Sequence, residues 1–388
     1  MKEEYKLSNL EQEVKDTKVR LCLDCGKCTV VCPVAQYNTD FNPRLIIQKS
    51  LVGGREGSPE VKDQAIWSCL NCQMCFERCN YRVKFPEFIT ALRTEAVKAG
   101  TRVQCSHGGA LQATMHLMAK ADLRQNRLSW LPEDIILTEQ SDTRFFVGCA
   151  PYFDVVFKDM GVKTLDGITG ALRLLNKAQI PFNLLANERC CGHDLLLQGD
   201  REGFLALARA NAAEFDRHGV KRIITYCPEC YACLKLEYPR ALGKNDIQVV
   251  NLVELLAPLV KDKKLKLPGL AKRVTYHDPC TLGRGFRIFD APRLLLNGMP
   301  GLKLVEMESN RERALCCGAS PWAFCNAVNR QIQGQRLAQA KAVDAEILVT
   351  ACPKCQIHLK CAWKNEVASN GPAASIEIRD FASVVAGV

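Results

Sequence analysis

The chain has 388 residues, of which 47% are hydrophobic, enough for two or three domains with their own cores, and this excludes a disordered tail. Its formal charge of +10 counts all 22 cysteines as neutral; metal-ligating thiols are deprotonated and, together with the positive charge of the metal they hold, bring the sum close to zero, so nucleic-acid binding is not expected. No apolar run reaches the roughly 18 to 20 residues of a membrane span, the best being Val249 to Val260, broken by Asn251 and Glu254, which leaves only peripheral docking on a membrane partner.

Residues 1 to 20 are rich in Glu, Gln and Lys, lack Gly and Pro, and read as a polar helix. The charged opening Met1-Lys2-Glu3-Glu4-Tyr5-Lys6 has no apolar stretch before the first cysteine. That pattern points to a reducing, cytoplasmic setting, where thiols mean metal.

Next comes Cys22-x2-Cys25-x2-Cys28-x3-Cys32-Pro33, and its echo is Cys69-x2-Cys72-x2-Cys75-x3-Cys79-Asn80. Three thiolates on one tight loop can hold three irons of a cubane, while the fourth, carried away by the following turn, reaches the other cluster. The expected sets are therefore Cys22, Cys25 and Cys28 with Cys79, and Cys69, Cys72 and Cys75 with Cys32. Asn80 stands where the proline of such motifs is usual, a change that bears on the turn and not on ligation. Between the loops a helix should open at Asn42-Pro43 and close at Gly53-Gly54. A second helix, with Phe88, Ile89, Leu92 and Val97 on one face, is expected over 86–98. Over 101–143, Leu111, Met115, Met118, Leu128 and Trp130 suggest a packed amphipathic linking helix with Cys105 as a buried thiol.

The rest of the chain repeats itself. A lone cysteine, a Cys-Cys-Gly triplet and a Cys-Pro-x-Cys motif follow one another twice: Cys149, Cys190-Cys191-Gly192 and Cys227–Cys230, then Cys280, Cys316-Cys317-Gly318 and Cys352–Cys355. The intervals nearly match, which is the mark of an internal duplication. In the first copy, apolar runs at 144–147, 181–185 and 221–226 read as strands, with helices near 169–178 and 201–218 between them. The second copy offers strands at 273–277, 302–307 and 347–350 and a helix near 327–343, after a solvated divide at Lys261–Lys266. This β-α-β-α-β order predicts a parallel sheet covered by helices, with the cysteines beyond the carboxyl ends of the strands. The fold class expected is α+β and multidomain: a helical ferredoxin domain at 1–100, a helical linker at 101–143, and two α/β parallel-sheet repeats at 144–260 and 270–388.

Four thiolates complete a cubane, and each repeat offers five. A thiolate can bridge two irons, so the fifth permits a cluster opened away from the cubane. Gly192 and Gly318 lack a side chain where a cluster must approach the backbone. His193 and His277 lie beside cysteines and can supply protons or hydrogen bonds. Cys233, Cys325 and Cys361 fall outside the motifs and are expected to be core thiols.

FNPRLII followed by WSCLNCQMCFERCNYRVKF resembles the helical ferredoxin subunit of heterodisulfide reductases, and the duplicated repeat resembles the CCG-domain subunit of the same family. Over about residues 18 to 385 the chain is similar to the fused subunit that joins the two. The resemblance implies two cubane [4Fe-4S] clusters in the ferredoxin part and two further noncubane [4Fe-4S] clusters. One of these would lie on Cys149, Cys190, Cys191, Cys227 and Cys230, the other on Cys280, Cys316, Cys317, Cys352 and Cys355, with a disulfide split between them. These ten cysteines are the implied catalytic set. Thr281 stands in Asp278-Pro279-Cys280-Thr281 where relatives often carry histidine, which weakens direct disulfide cleavage.

No Rossmann fingerprint or P-loop is present, so flavin or nucleotide chemistry would come from a flavoprotein and other redox subunits of a larger complex. The function expected is an iron–sulfur electron-transfer subunit of an anaerobic oxidoreductase. It would pass single electrons through the cubanes to the paired CCG centres, and from there to a disulfide or to a terminal reductase such as one acting on aromatic acyl-CoA thioesters. The alternative is the iron–sulfur subunit of a flavin-dependent glycolate, lactate or glycerol-3-phosphate dehydrogenase; a scaffold role for the repeats is disfavoured by two intact five-cysteine sets.

Overall fold

The computed structural model describes residues 10–53, 64–101, 105–243, 246–319 and 321–388. It divides into two compact units. The first takes in the chain up to Leu117 together with Gly192–Ala206 and Gly318–Ile332, the stretches that follow the two cysteine pairs. The second holds the remainder, including both parallel sheets.

In the first unit the expected helices form at Pro43–Gly53 and Phe85–Lys98. Phe88, Ile89 and Leu92 are buried as their spacing requires, around Trp67 and the edge-on pair Phe41 and Phe85. The polar leader is helical over Leu10–Asp16, and its first nine positions lie outside the described residues. The linking helix is shorter than expected. It covers Ala110–Met118, where Leu111, Met115 and Met118 are buried, and the chain is irregular from there to Asp142, with Leu128 and Trp130 half-buried. A charged stretch, Lys120, Asp122 and Arg124, interrupts the apolar spacing at that point. Cys105, Cys325 and Cys361, expected in the core, are half-exposed, whereas Cys233 is fully buried.

In the second unit the first repeat forms a parallel sheet β1-β2-β3 from Thr143–Phe146, Arg222–Thr225 and Gln248–Asn251. Asn183 adds a single parallel bridge to Arg144 on the outer side of β1. The second repeat forms β4 (Arg273–His277), β5 (Lys303–Leu304), β6 (Ile347–Thr350) and β7 (Glu377–Asp380) in the order β5-β4-β6-β7, all parallel. With Asn183 in the place of β5, the two orders are the same. The outer strands are stubs, shorter than the apolar runs at 181–185 and 302–307 suggest. At the first, Asn183 turns its own side chain onto the Leu184 N–H at 2.7 Å, in place of a continued ladder.

β3 and β7 are the elements the pattern hid. QVVN runs without a break into the apolar helix Leu252–Lys261, so strand and helix read as one run. EIRD alternates polar with apolar as an edge strand does. Each strand ends in the cap of the next helix: Asn251 accepts from Val253 N–H at 3.1 Å, and Asp380 accepts from Ala382 and Ser383 N–H at 2.8 and 3.1 Å. The helix after each sheet then packs on the other repeat, Leu252–Lys261 against Asp290–Asn297 and Phe381–Ala386 against Thr164–Lys177. Tyr226 adds a buried link, donating to Asp380 at 2.7 Å. Among the described residues no helix is long and apolar enough to cross a membrane.

The exchange requires close backbones. A Cβ on Gly170 would lie 2.6 Å from the carbonyl oxygen of Ala382. Alanine in a helix interior gains about 0.5–1 kcal/mol over glycine, but overpacking costs about 1–3 kcal/mol. Gly170→Ala should therefore lose about 1–2 kcal/mol in denaturant unfolding, and a gain in stability would contradict this helix contact.

Candidate metal centres

The two ferredoxin-type loops share one backbone path. Asp24 and Asn71 are left-handed at φ 55° and 51°, and so are Gly26 and Gln73 at 75° and 63°, each capping a short helix, Lys27–Val31 or Met74–Arg78. Cys32 and Cys79 leave those helices at nearly the same angles, φ −72° and ψ 118° against φ −82° and ψ 117°. Pro33 and Asn80 thus sit on the same turn. The first loop is the more open: Cys25 is exposed, while Cys69 and Cys72 are buried. Cys32 lies near the second loop, where the charges of Cys72 and Cys69 add to burial in holding its thiol protonated. Burial pushes the Cys69 thiol up to about 11, against the pull of Arg93.

Arg93 was not singled out by the sequence, although as Ile89+4 it falls on the apolar face of its helix, which is itself the signal. Fully buried, it donates to Ile66 O at 3.0 Å, Cys69 O at 2.7 Å and Asn71 Oδ1 at 2.8 Å. Asn71 passes the grip on, donating to Pro86 O and Thr90 Oγ1. The left-handed Asn71 is thereby held in place.

In the second unit the parallel registers Phe146↔Thr225 and His277↔Thr350 bring the carboxyl ends of β1 and β2, and of β4 and β6, side by side. Cys149 and Cys227 follow the first pair, Cys280 and Cys352 the second. Cys149 Sγ lies 2.8 Å from Cys190 Sγ. Cys191 hydrogen-bonds Cys190 and Cys230, and Cys230 in turn meets Cys227. In the second set Cys317 meets Cys316 and Cys355, and Cys355 meets Cys352. Cys280, half-buried, opens the helical turn Thr281–Gly285 beyond β4. The sets join where Cys227 contacts Cys352. Beside that contact the two x residues of the Cys-Pro-x-Cys motifs, Glu229 and Lys354, form an ion pair at 2.9 Å with Lys354 buried.

Gly192 and Gly318 are left-handed at φ 83° and 76°, a backbone reason for glycine besides close approach. His193 opens the short helix His193–Leu197 in the first unit, where neighbouring Asp194 accepts from the Trp322 indole at 3.1 Å. His277, by contrast, hydrogen-bonds the Cys317 sulfur, and burial lowers its basicity. Gly148, at φ 68°, provides a cradle: a Cβ there would sit 2.8 Å from Cys230 Sγ. An all-thiol donor set, whose thiols give up their protons to a bound metal, fits iron–sulfur clusters.

The charges that hold the first set in place also escaped the sequence reading. Glu188 is buried and accepts from Val147 N–H at 3.1 Å and Gly148 N–H at 2.7 Å, and from Arg127 at 2.7 Å. Arg127 also donates to Gly148 O. The pair ties the loop of Cys149 to the segment of Cys190. The only hint was a charged Glu188-Arg189 step directly before the cysteines. Removing one member of such a buried pair costs about 3–5 kcal/mol. Glu188→Ala should lose that much in unfolding of the assembled protein, and a loss below about 1 kcal/mol would show that Arg127 finds another partner.

Two protein families match the chain. The 4Fe-4S dicluster domain family matches residues 18–83, and the cysteine-rich CCG domain family matches 144–235 and 274–360. The D subunit of dihydromethanophenazine:CoB–CoM heterodisulfide reductase from Methanosarcina mazei is 31% identical, over 87% of each chain. EtfAB:quinone oxidoreductase from Syntrophomonas wolfei is 28% identical over 86% of this chain and 54% of its own, and the B subunit of fumarate reductase (CoM/CoB) from Methanothermobacter marburgensis is 27% identical over 92% and 70%. A dicluster domain followed by two CCG domains, along nearly the whole length of both chains, places this protein in the family of heterodisulfide reductase D subunits, as an iron–sulfur electron-transfer component of an oxidoreductase.

Proposed function

We propose that the chain carries electrons singly from a redox partner through two cubane clusters to two noncubane CCG centres, where a two-electron acceptor is reduced. The observation that carries this is the meeting of the two five-thiol sets at Cys227 and Cys352. Centres held on adjoining thiols would exchange electrons readily, and a disulfide needs two electrons and two protons to become two thiols. The clusters, when bound, supply the one-electron steps.

The chain's own residues supply the rest. Cys22, Cys25, Cys28 and Cys79 would hold one cubane, and Cys69, Cys72, Cys75 and Cys32 the other, a crossing supported by the nearness of Cys32 to Cys72 and Cys69. Cys149, Cys190, Cys191, Cys227 and Cys230 would hold the first CCG centre, and Cys280, Cys316, Cys317, Cys352 and Cys355 the second. Burial of Cys190, Cys191, Cys316 and Cys317 excludes water from the thiolates. A flavoprotein is the partner we infer, since the cubanes take single electrons and the relatives' names join proteins of this type to quinone and fumarate chemistry. Thiolate ligation needs a reducing compartment, so the cytoplasm, with docking on a membrane partner where the acceptor is a quinone, is the setting we infer.

Cys191→Ser and Cys317→Ser separate the two centres. In protein assembled without oxygen, each should lose about a quarter of the iron while the cubane EPR signals persist. Full iron in either variant would contradict the ligand assignment.

A further inference from the structure

The duplicated centres are not chemically equivalent. His277 ends β4 three residues before Cys280, and its counterpart in the first repeat, at the end of β1 three residues before Cys149, is Phe146. Phe146 packs edge-on against Phe215 and has no N–H to offer. A second difference lies one layer out. Asn211 and Arg336 each sit sixteen residues before the Cys-Pro-x-Cys motif, in the helix that precedes β2 or β6, and both are 0% exposed. Asn211 braces backbone, accepting from Arg189 N–H at 2.8 Å and donating to Cys190 O at 3.1 Å. Arg336 instead donates its Nε–H to His277 Nδ1 at 2.9 Å.

That contact fixes the histidine. A guanidinium can only donate, so Nδ1 is the bare nitrogen and the proton of the neutral ring is on Nε2. The same imidazole hydrogen-bonds Cys317, and Nε2–H is the proton it has for that sulfur. The other donations of Arg336 go to neutral acceptors, Ser309 O at 2.7 Å and Gln339 Oε1 at 2.8 Å, and its Nη2 has no acceptor among the described residues. The carboxylate whose charge acts on this buried cation, Asp278, is itself held by Arg293 at 2.7 and 2.9 Å, so added negative charge nearby is still favoured. Arg293, by contrast, is paired directly with both Asp278 and Glu306.

We propose that Arg336 is a positioning residue that holds His277 with its proton on Nε2, so that the ring donates to the Cys317 sulfur. This donor, in whose place the first repeat has Phe146, makes the second-repeat centre the more easily reduced of the two. Hydrogen bonds to cluster sulfurs and nearby positive charge both stabilise the more negative, reduced state. Electrons would then come to rest on the second centre, and the pair would have a direction. The inference rests on the ligand assignment above.

The test uses the full chain, assembled without oxygen, in EPR-monitored redox titrations with iron measured on every variant. The signal lost in Cys317→Ser should titrate above the one lost in Cys191→Ser. His277→Phe, which copies the first repeat, should lower the former by about tenfold in its reduction equilibrium, about 59 mV for one electron, and leave the latter in place. His277→Gln, whose amide N–H can replace Nε2–H, should restore most of the shift, and Arg336→Met should lower the same signal with iron retained. Equal potentials in the wild type, or an unmoved second signal in an iron-complete His277→Phe, would overturn the proposal. Should His277→Phe fail to take up iron, ENDOR on the wild type decides: an exchangeable proton coupled to the second centre supports the donor, and its absence overturns it. A wild-type chain lacking the second signal would overturn the ligand assignment, and this inference with it.

Discussion

Parallel pairing of β1 with β2 and of β4 with β6 is the constraint on which the second unit depends. Parallel strands end on the same edge, so a cysteine two or three residues past each end is delivered to one place without any long-range recognition between thiols. The Cys-Cys pair arrives at that edge on a separate segment, braced in the first repeat by Asn211 and by Glu188 with Arg127. The fold itself thereby makes Cys149 Sγ and Cys190 Sγ neighbours. Folding therefore prepays part of the cost of assembling a ligand set.

Gathering thiols in a dry place has a cost in charge. The chain meets it with buried arginines: Arg93 behind the Cys69 loop, Arg127 behind Cys149, Arg293 and Arg336 behind the second set. Some are neutralised by carboxylates, and some are not. Desolvation of a guanidinium is costly, and Arg336, which shares the charge of Asp278 with Arg293 and has no ion pair of its own, is stabilised by further negative charge nearby. This couples the stability of the fold to the assembled state of its centres.

Much of this was legible in the sequence because it depended on short-range pattern. Cysteine spacing, the duplicated frame and the strands TRFF, RVTYH and ILVT were each fixed by local periodicity and came out within a residue or so of their observed ends. The reading ran out where tertiary context decides. β3 merged with the helix behind it, β7 was too polar to stand out, and the linking helix ended at Met118 although apolar residues continued. The site arginines were missed for the same reason: a charged side chain on an apolar face has no partner in the sequence until the fold supplies one. Arg93 could have been flagged by helical spacing alone, whereas Arg127, in an irregular segment, could not. The asymmetry between His277 and Phe146 was visible in the aligned repeats, but only the contact with Arg336 gives it meaning.

Anomalous diffraction at the iron edge, from crystals grown without oxygen, tests the central claim most directly. Four separate iron peaks are predicted, two of them on the carboxyl edges of the sheets, one within Cys149, Cys190, Cys191, Cys227 and Cys230 and one within Cys280, Cys316, Cys317, Cys352 and Cys355. Iron confined to the ferredoxin loops in a fully assembled protein would contradict it.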